Sequence, residues 1–216
     1  MSAVQGFGRR AGPSRLLSAL AEFIAAPRVD AAAPAARKVV VGAPDRVQSL
    51  IERQLRSLPP GATVIELVYA GAGHAAWVQG PLRYRAIDIA EDGNRDATLA
   101  ALRKLEDDSV HMVFSINAIE RIRTPWRVAD EIERVLRPKG VTLHSSRFST
   151  RYDSVPEDYC RFTPDGLKAL FADFDCVFAE FEATDEARAL RRRGEVDLFG
   201  GSREGWLTHF CGRKRG

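Results

Sequence analysis

The apolar positions of this chain switch repeatedly between a helical and a strand period. After Asp45, Val47, Leu50, Ile51 and Leu55 recur at helical spacing and predict an amphipathic helix, which Pro59-Pro-Gly61 stops. Ala62 to Tyr69 is a near-continuous apolar run with β-branched Thr63, Val64 and Ile65, and predicts a buried strand. A short helix is expected over His74 to Val78, then a second strand over Tyr84 to Ile89. Only about twenty residues separate Asp88 from the next strand, Val110 to Ser115, so that interval holds a short strand near Asp96 to Leu102, or one helix turn. Thr124-Pro125 and Thr163-Pro164 are helix starts, a capping hydroxyl followed by proline at the first helical position. Val128, Ile132, Val135 and Leu136 give the first of these helices its stripe; Leu167, Leu170, Phe171 and Phe174 give the second its buried face. Arg137-Pro-Lys-Gly140 ends the first helix and launches a strand, Val141 to Ser145. Further strands are expected at Cys176 to Phe181 and Trp206 to Cys211. Strands alternating with helices predict an α/β protein with a mainly parallel sheet.

Two places carry candidate chemistry. The strand Val64-Ile-Glu-Leu-Val runs into Tyr69-Ala-Gly-Ala-Gly73, a small-residue turn, and the following strand ends in Asp88. A buried strand, a turn that lets backbone approach a ligand and a carboxylate ending the next strand form the layout of a nucleotide-type site. Ser115 and Asn117 lie just past the next strand, at the carboxyl edge where doubly wound sheets expose ligands.

Composition narrows the partners. With 216 residues, 45% hydrophobic and 28% charged, the chain is that of an ordinary globular protein. A net charge of +3 gives no case for nucleic acid without a clustered patch, and the acids Glu195, Asp197 and Glu204 lie near the basic runs Arg191-Arg-Arg193 and Arg213-Lys-Arg215. Trp126 and Trp206 are expected in core and edge packing rather than as stacking platforms. Cys160, Cys176 and Cys211 form no paired motif, and the four histidines show no HxxxH or HExxH spacing, so no metal is expected. A reducing, cytoplasmic setting is the simplest expectation. No apolar run approaches the roughly 18 residues of a membrane span. Leu16 to Ala26 predicts an amphipathic helix docking on the body, and residues 27–37 a linker. Residues 1–44 are therefore expected to form an N-terminal extension and 45–216 the α/β domain.

From Ala62 to Lys214 the chain resembles the class I S-adenosylmethionine-dependent methyltransferases, of the compact type that modifies small molecules or glycans. The resemblance lies in the order of Val64-Ile-Glu-Leu, Tyr84-Arg-Ala-Ile-Asp-Ile, Glu106-Asp-Asp-Ser-Val-His-Met-Val-Phe-Ser, Ala118-Ile-Glu-Arg, Glu131-Ile-Glu-Arg-Val-Leu-Arg-Pro-Lys-Gly and Glu157-Asp-Tyr-Cys-Arg-Phe-Thr-Pro-Asp-Gly-Leu. It implies a Rossmann-like, seven-stranded, mostly parallel sheet with helices on both faces and an antiparallel last strand. It also implies methyl transfer from S-adenosylmethionine to a small-molecule or sugar-like acceptor. The cofactor positions would be Glu66, Val68, Ala70, Gly71, Gly73, Asp88, Ile89 and Asn117. Glu120 and Tyr159 would be the catalytic candidates, with Arg121 and Arg161 toward the substrate. For Glu120 and Arg121 a salt-bridged pair on a solvated helix start is the competing expectation, and for Arg161 a pairing with Asp158 or Glu157. The resemblance leaves room for a homodimer or a heteromeric partner enzyme.

The chain departs from the family at several pocket positions. Without a gap, Val68, Ala70 and Ala72 fall where the family's first loop has glycines; a one-residue insertion instead puts Gly71 and Gly73 on the last two. The expected adenine-binding acid falls on Leu99, or on Asp96 in a shifted register. His111 and Arg121 replace the family's usual residues around the next strand. These changes motivate the alternative of a methyltransferase-like partner or scaffold that no longer transfers methyl.

Overall fold

A computed structural model describes residues 46–71, 73–89, 97–150, 152, 157–183 and 206–216. The N-terminal helix and linker, the Asp45 cap, Ala72, Asp96 and Arg191-Arg-Arg193 lie outside the described residues. The elements are α1 (Arg46–Arg56), β1 (Thr63–Val68), β2 (Arg83–Asp88), α2 (Ala97–Arg103), β3 (Val110–Ile116), α3 (Pro125–Val135), β4 (Leu136–Ser149), α4 (Pro164–Leu170), β5 (Phe174–Ala183) and β6 (Trp206–Lys214). Short 3-10 turns cover Ala75–Trp77 and Ile119–Arg121.

The strands form one sheet in the order β2-β1-β3-β4-β6-β5. The first three pairings run parallel, and β6 is antiparallel to both β4 and β5. Helices cover both faces. On one, Val47, Leu50, Ile51 and Leu55 of α1 pack against Val64, Met112, Phe114, Val141 and Leu143. On the other, α2, α3 and α4 bury Leu99, Leu102, Val128, Ile132 and Leu167 against Ile65, Leu67, Val113 and Phe210.

The sheet has six strands among the described residues, one fewer than expected. Ala97 to Arg103 forms a helix, with Thr98, Leu99 and Leu102 buried. Among the described residues, the interval of 21 residues between β2 and β3 holds this one crossover helix and no further strand. Three boundaries also move. Leu136 begins β4 rather than ending the helix, and the ladder with β3 slips between Val110 and Met112 to admit Arg137 to Gly140. Phe171 follows α4 and Phe174 opens β5, yet both stay in the core, where Phe171 stacks on Phe210 at 5.1 Å. Thr163 caps α4 by accepting the Gly166 N–H at 3.0 Å, whereas the Thr124 side chain makes no cap bond. Trp126 is exposed rather than packed; Trp206 packs edge-on against Phe181.

The chain steps outward from β1 to β2 and then crosses back to β3. That reversal opens a crevice at the carboxyl ends of β1 and β3, the position where open α/β sheets take ligands.

Candidate functional site

The loop after β1 is held from below by Glu66. Its side chain is 1% exposed, so it is no surface acid. One carboxylate oxygen accepts the His74 N–H at 2.8 Å and the Tyr84 hydroxyl at 2.5 Å; the other lies 2.6 Å from His74 Nδ1. A buried carboxylate needs such donors, because stripping it of water without them is costly. Burial, and then the Glu66 carboxylate, push the Tyr84 hydroxyl well above its ordinary pKa, so it stays a donor. Glu66 thus acts as a brace for residues 69–74.

The backbone of this loop decides where glycine is needed. Gly71 has φ +70°, in the left-handed region, and Ala70 beside it has φ +57°. At Gly73 an added Cβ would sit 2.6 Å from Tyr84 Oη. The geometry therefore requires small, permissive residues at Gly71 and Gly73, the pair picked out by the one-residue insertion. Val68 is a buried strand end, and Ala70 carries the strain a non-glycine residue incurs at positive φ.

Asp88 closes the other side. It ends β2, opposite Val68 in the ladder, and its Oδ1 accepts the Ala70 N–H at 3.2 Å while Oδ2 faces Gly71. The Ile89 N–H donates to the Val68 carbonyl at 2.9 Å, locking the two strand ends together. Asp88, Val68, Gly71, Arg85, Ala97 and Ala101 are among the residues lining an open cavity of about 320 Å³ on this edge.

Beyond β3, Asn117 turns the chain with φ +51°, its N–H donating to the Ser145 carbonyl at 2.8 Å. Its side-chain Oδ1 is buried without a hydrogen-bond partner, a rare state for a buried polar atom. Ser115 is fully buried and bonded to His144 Nδ1 at 2.8 Å; His144 Nε2 meets Thr142 Oγ1 at 2.7 Å. Burial holds the His144 pKa down to about 3, so the ring is neutral.

Glu120 and Arg121 follow on the 3-10 turn, and both are buried rather than solvated. The Arg147 N–H donates to Glu120 Oε1 at 3.4 Å, while Oε2 has no hydrogen-bond partner among the described residues, the Ser146 hydroxyl lying nearby. Burial raises the Glu120 pKa above the ordinary carboxylate value. Arg121 donates to the Glu157 carbonyl at 3.0 Å, and its guanidinium lies 5.1 Å from the ring centre of Tyr69. The Cys160 N–H donates to the Glu120 carbonyl at 3.0 Å, and Thr208 Oγ1 to the Phe162 carbonyl at 2.7 Å. The fold thus straps the loop holding Tyr159 and Arg161 across Glu120 and Arg121, joining two stretches some forty residues apart. Arg161 forks onto the nearly buried Asp158 carboxylate, which raises the guanidinium's pKa. Tyr159, partly exposed on the rim, donates to the Glu157 carboxylate.

Residues 71–143 match a family described as a methyltransferase domain. The chain has the class I methyltransferase fold. Among solved structures, YcgJ from Bacillus subtilis superposes with a TM-score of 0.54 at 14% identity, covering 79% of this chain and 99% of that one. The [4+2]-cyclase SpnF gives 0.55 at 14%, covering 79% and 80%. Phosphoethanolamine N-methyltransferase 2 from Haemonchus contortus, solved with S-adenosyl-L-methionine, gives 0.52 at 15%, covering 78% of this chain and 52% of that one. No curated protein matches the chain. A fold shared by N-methyltransferases and a cyclase leaves the reaction to be argued from the site.

The residues present suit the cofactor of that fold at two of its three ends. The Gly71–Gly73 loop is held close by Tyr84 and Glu66 with no side chain of its own at either glycine, and Asn117 Oδ1 is an acceptor lacking its donor among the described residues. Asp88 lines the cavity on this edge, where it would face the ribose. At the adenine end, Leu99 is 2% exposed inside the core and offers no polar group.

Sequence reading missed the polar and aromatic residues on β4 to β6: Ser146, Phe148, Phe181, Thr208 and His209. The signal was available in Ser145-Ser146 and Thr208-His209, polar pairs inside otherwise apolar strands. No group of three metal-ligating side chains occurs among the described residues, and no described helix is long and apolar enough to cross a membrane.

Proposed function

We propose that this chain is an S-adenosylmethionine-dependent methyltransferase acting on a small-molecule or sugar-like acceptor. One observation carries the reading: the carboxyl edge of β1, β2 and β3 is built as a ligand cradle. Its loop is braced by a buried acid, is closed to a side chain at Gly73 by Tyr84, and bonds Asp88 through the Ala70 N–H, while Asn117, whose buried Oδ1 lacks a partner among the described residues, follows the end of β3. The family match spans Gly71, Asp88, Asn117 and Glu120. Residues 45–216 form the catalytic domain in this reading, with 1–44 appended. The cysteines described, Cys160, Cys176 and Cys211, are free thiols, which suits a cytoplasmic location.

When bound, the cofactor's sulfonium supplies an already activated methyl group. The work left to the protein is mainly alignment of an acceptor lone pair. Gly71 and Gly73 let the loop backbone approach the ligand, Asp88 accepts from ribose hydroxyls, and Asn117 Oδ1 accepts from a donor on the cofactor. Glu120 is the group placed to hold a proton on the acceptor side. Arg161 positions the overlying loop through Asp158, Arg121 ties it down at Glu157, and Tyr159 faces the acceptor from the rim.

Calorimetric titration with S-adenosylmethionine and S-adenosylhomocysteine tests the reading. Micromolar binding is expected, weakened about ten-fold or more in Asp88→Ala, as for a lost hydrogen bond to a charged group. Absence of binding at millimolar ligand refutes it. That result would favour the second reading, a scaffold or partner subunit that no longer transfers methyl, for which the buried Leu99 speaks.

A further inference from the structure

The buried side-chain polar atoms that lack partners among the described residues are Asn117 Oδ1, Glu120 Oε2, Ser145 Oγ, Ser146 Oγ and His209 Nδ1. All lie at or beside the carboxyl ends of β3 and β4, or on β6 where it pairs with β4. They divide by sheet face. Ser145 and His209 are cross-strand neighbours on the α1 face, with His209 Nε2 bonded to Glu182 at 2.9 Å. Glu120 and Ser146 lie on the opposite face, under the loop strapped across Glu120.

The second face carries more. Ser146 pairs with Thr208, and Thr208 pairs in turn with Phe181, so the three side chains point the same way across three strands. The Phe148 ring meets the Phe181 ring at 4.8 Å, and Trp206 meets Phe181 edge-on at 6.1 Å. Phe181 is 40% exposed. Moving outward along this face, a fully buried carboxyl with one unpartnered oxygen is followed by an aromatic wall open to solvent.

We propose that the acceptor is an amine, bound as its ammonium ion between the Glu120 carboxylate and the aromatic wall of Phe148, Phe181 and Trp206. This rests on the methyl-transfer reading above and names its substrate class. An ammonium N–H bonded to a carboxylate is about twice as strong as a neutral pair. The ring faces add cation attraction, about 0.5–2 kcal/mol for a cation over an aromatic face. A neutral hydroxyl would use neither the charge nor the ring quadrupoles, and an anionic acceptor would meet the buried acid.

Glu120 makes no ion pair among the described residues. Arg161 is forked onto Asp158, Arg121 reaches Glu157 and Tyr69, and Arg147 meets Glu120 through its main-chain N–H; the Arg147 and Arg161 charges act on the carboxyl only through space, so a bound ammonium would be its direct partner. Cys160 adjoins the carboxyl and is itself held neutral by burial and then by Glu120. The chemistry balances. The ammonium gives one proton to Glu120, whose burial makes it a stronger base than a surface carboxylate. The freed lone pair forms the N–C bond as the C–S bond breaks, with that bond's electrons staying on sulfur. A methylated ammonium and a thioether result, and Glu120 releases its proton to solvent.

The test titrates the full chain with tert-butylammonium and with its uncharged near-isostere tert-butanol, with and without saturating S-adenosylhomocysteine. We expect the cation to bind about ten-fold more tightly or better. Glu120→Gln and Phe181→Ala should each erase most of that preference. Phe181 is half exposed, so its variant keeps the test informative if Glu120→Gln fails to fold. Equal binding of cation and isostere, or no binding of either, overturns the proposal. Loss of S-adenosylhomocysteine binding alone would instead sink the methyl-transfer reading, while the cation preference still decides the amine site.

Discussion

His144 makes a prediction whose size follows from its surroundings. Its ring is fully buried, stacks on Phe171 at 4.6 Å, and is held between Ser115 and Thr142. Burial lowers its pKa from an ordinary 6.5 to about 3. A group whose folded pKa is depressed favours the folded state above its unfolded pKa, and that contribution is lost as pH falls from 6.5 toward 3. At pH 7 the unfolded state gains about 0.2 kcal/mol from protonating this ring, and at pH 5 about 2 kcal/mol. The figure at pH 5 barely changes if the folded pKa is 4, because it is set by the unfolded state. His144→Gln keeps hydrogen-bonding capacity but removes the titration. The variant will be less stable at pH 7, having lost the ring stack. Its further loss between pH 7 and pH 5, from urea unfolding at each pH, should be about 1.8 kcal/mol smaller than that of the parent. His74, His111 and His209 are present in both proteins and cancel. Equal losses in parent and variant would refute the reasoning.

Other expected outcomes follow from the loop, the buried acid and the helix cap. Gly73→Ala drives a Cβ to 2.6 Å from Tyr84 Oη and should cut cofactor binding by calorimetry. Ala70→Gly, at φ +57°, should raise stability by about 1 kcal/mol in urea unfolding, with cofactor affinity kept or improved. No gain would mean the loop does not strain Ala70. Glu120 has a folded pKa raised by burial, so its ionisation disfavours the folded state as pH rises above its unfolded value. Glu120→Gln should therefore raise the melting temperature more at pH 8 than at pH 4; a pH-independent shift would count against a buried, unpaired carboxyl. Thr163→Ala removes the cap on α4 and should cost about 1 kcal/mol, whereas Thr124→Ala, with no cap bond to lose, should cost less in the same denaturation assay.

Much of the fold was legible because its signals are local. The apolar stripe of α1, the β-branched run of β1 and Thr163-Pro164 each specify an element through nearby residues. The errors fall where tertiary context decides. Leu136 has a helical position and a strand conformation, because pairing with Val110 outweighs one more helical turn. The loop after β1 shows the same division. Glycine spacing alone admitted two registers, and what restricts Gly73 is the Tyr84 hydroxyl, eleven residues further on, which fills the space a Cβ would need. The acid brace was visible as Glu66, but its three donors were not, since His74 and Tyr84 meet it only once β2 lies beside β1.

The acceptor side was least legible, and for a related reason. Glu120 and Arg161 sit in motifs that suggest chemistry, yet their environments differ sharply: Arg161 is satisfied by Asp158, while Glu120 keeps an unpartnered oxygen. The Arg161 pairing was open to sequence reading because Asp158 lies three residues away in the chain, whereas the neighbours of Glu120 come from β4 and the strapped loop. A buried oxygen without a donor costs the fold on the order of 1–3 kcal/mol. The five such atoms among the described residues, four oxygens and one ring nitrogen, lie on both faces of the sheet, and a bound ligand can offset the cost of those it reaches. In the proposed reading Asn117 and Glu120, both just past the carboxyl end of β3, are the two that a ligand at this edge would meet. A scaffold that bound neither cofactor nor acceptor would have no use for that arrangement, and replacing Asn117 or Ser146 with apolar residues of similar size would stabilise it. In a protein that binds both, the same replacements abolish binding while raising the melting temperature of the free chain.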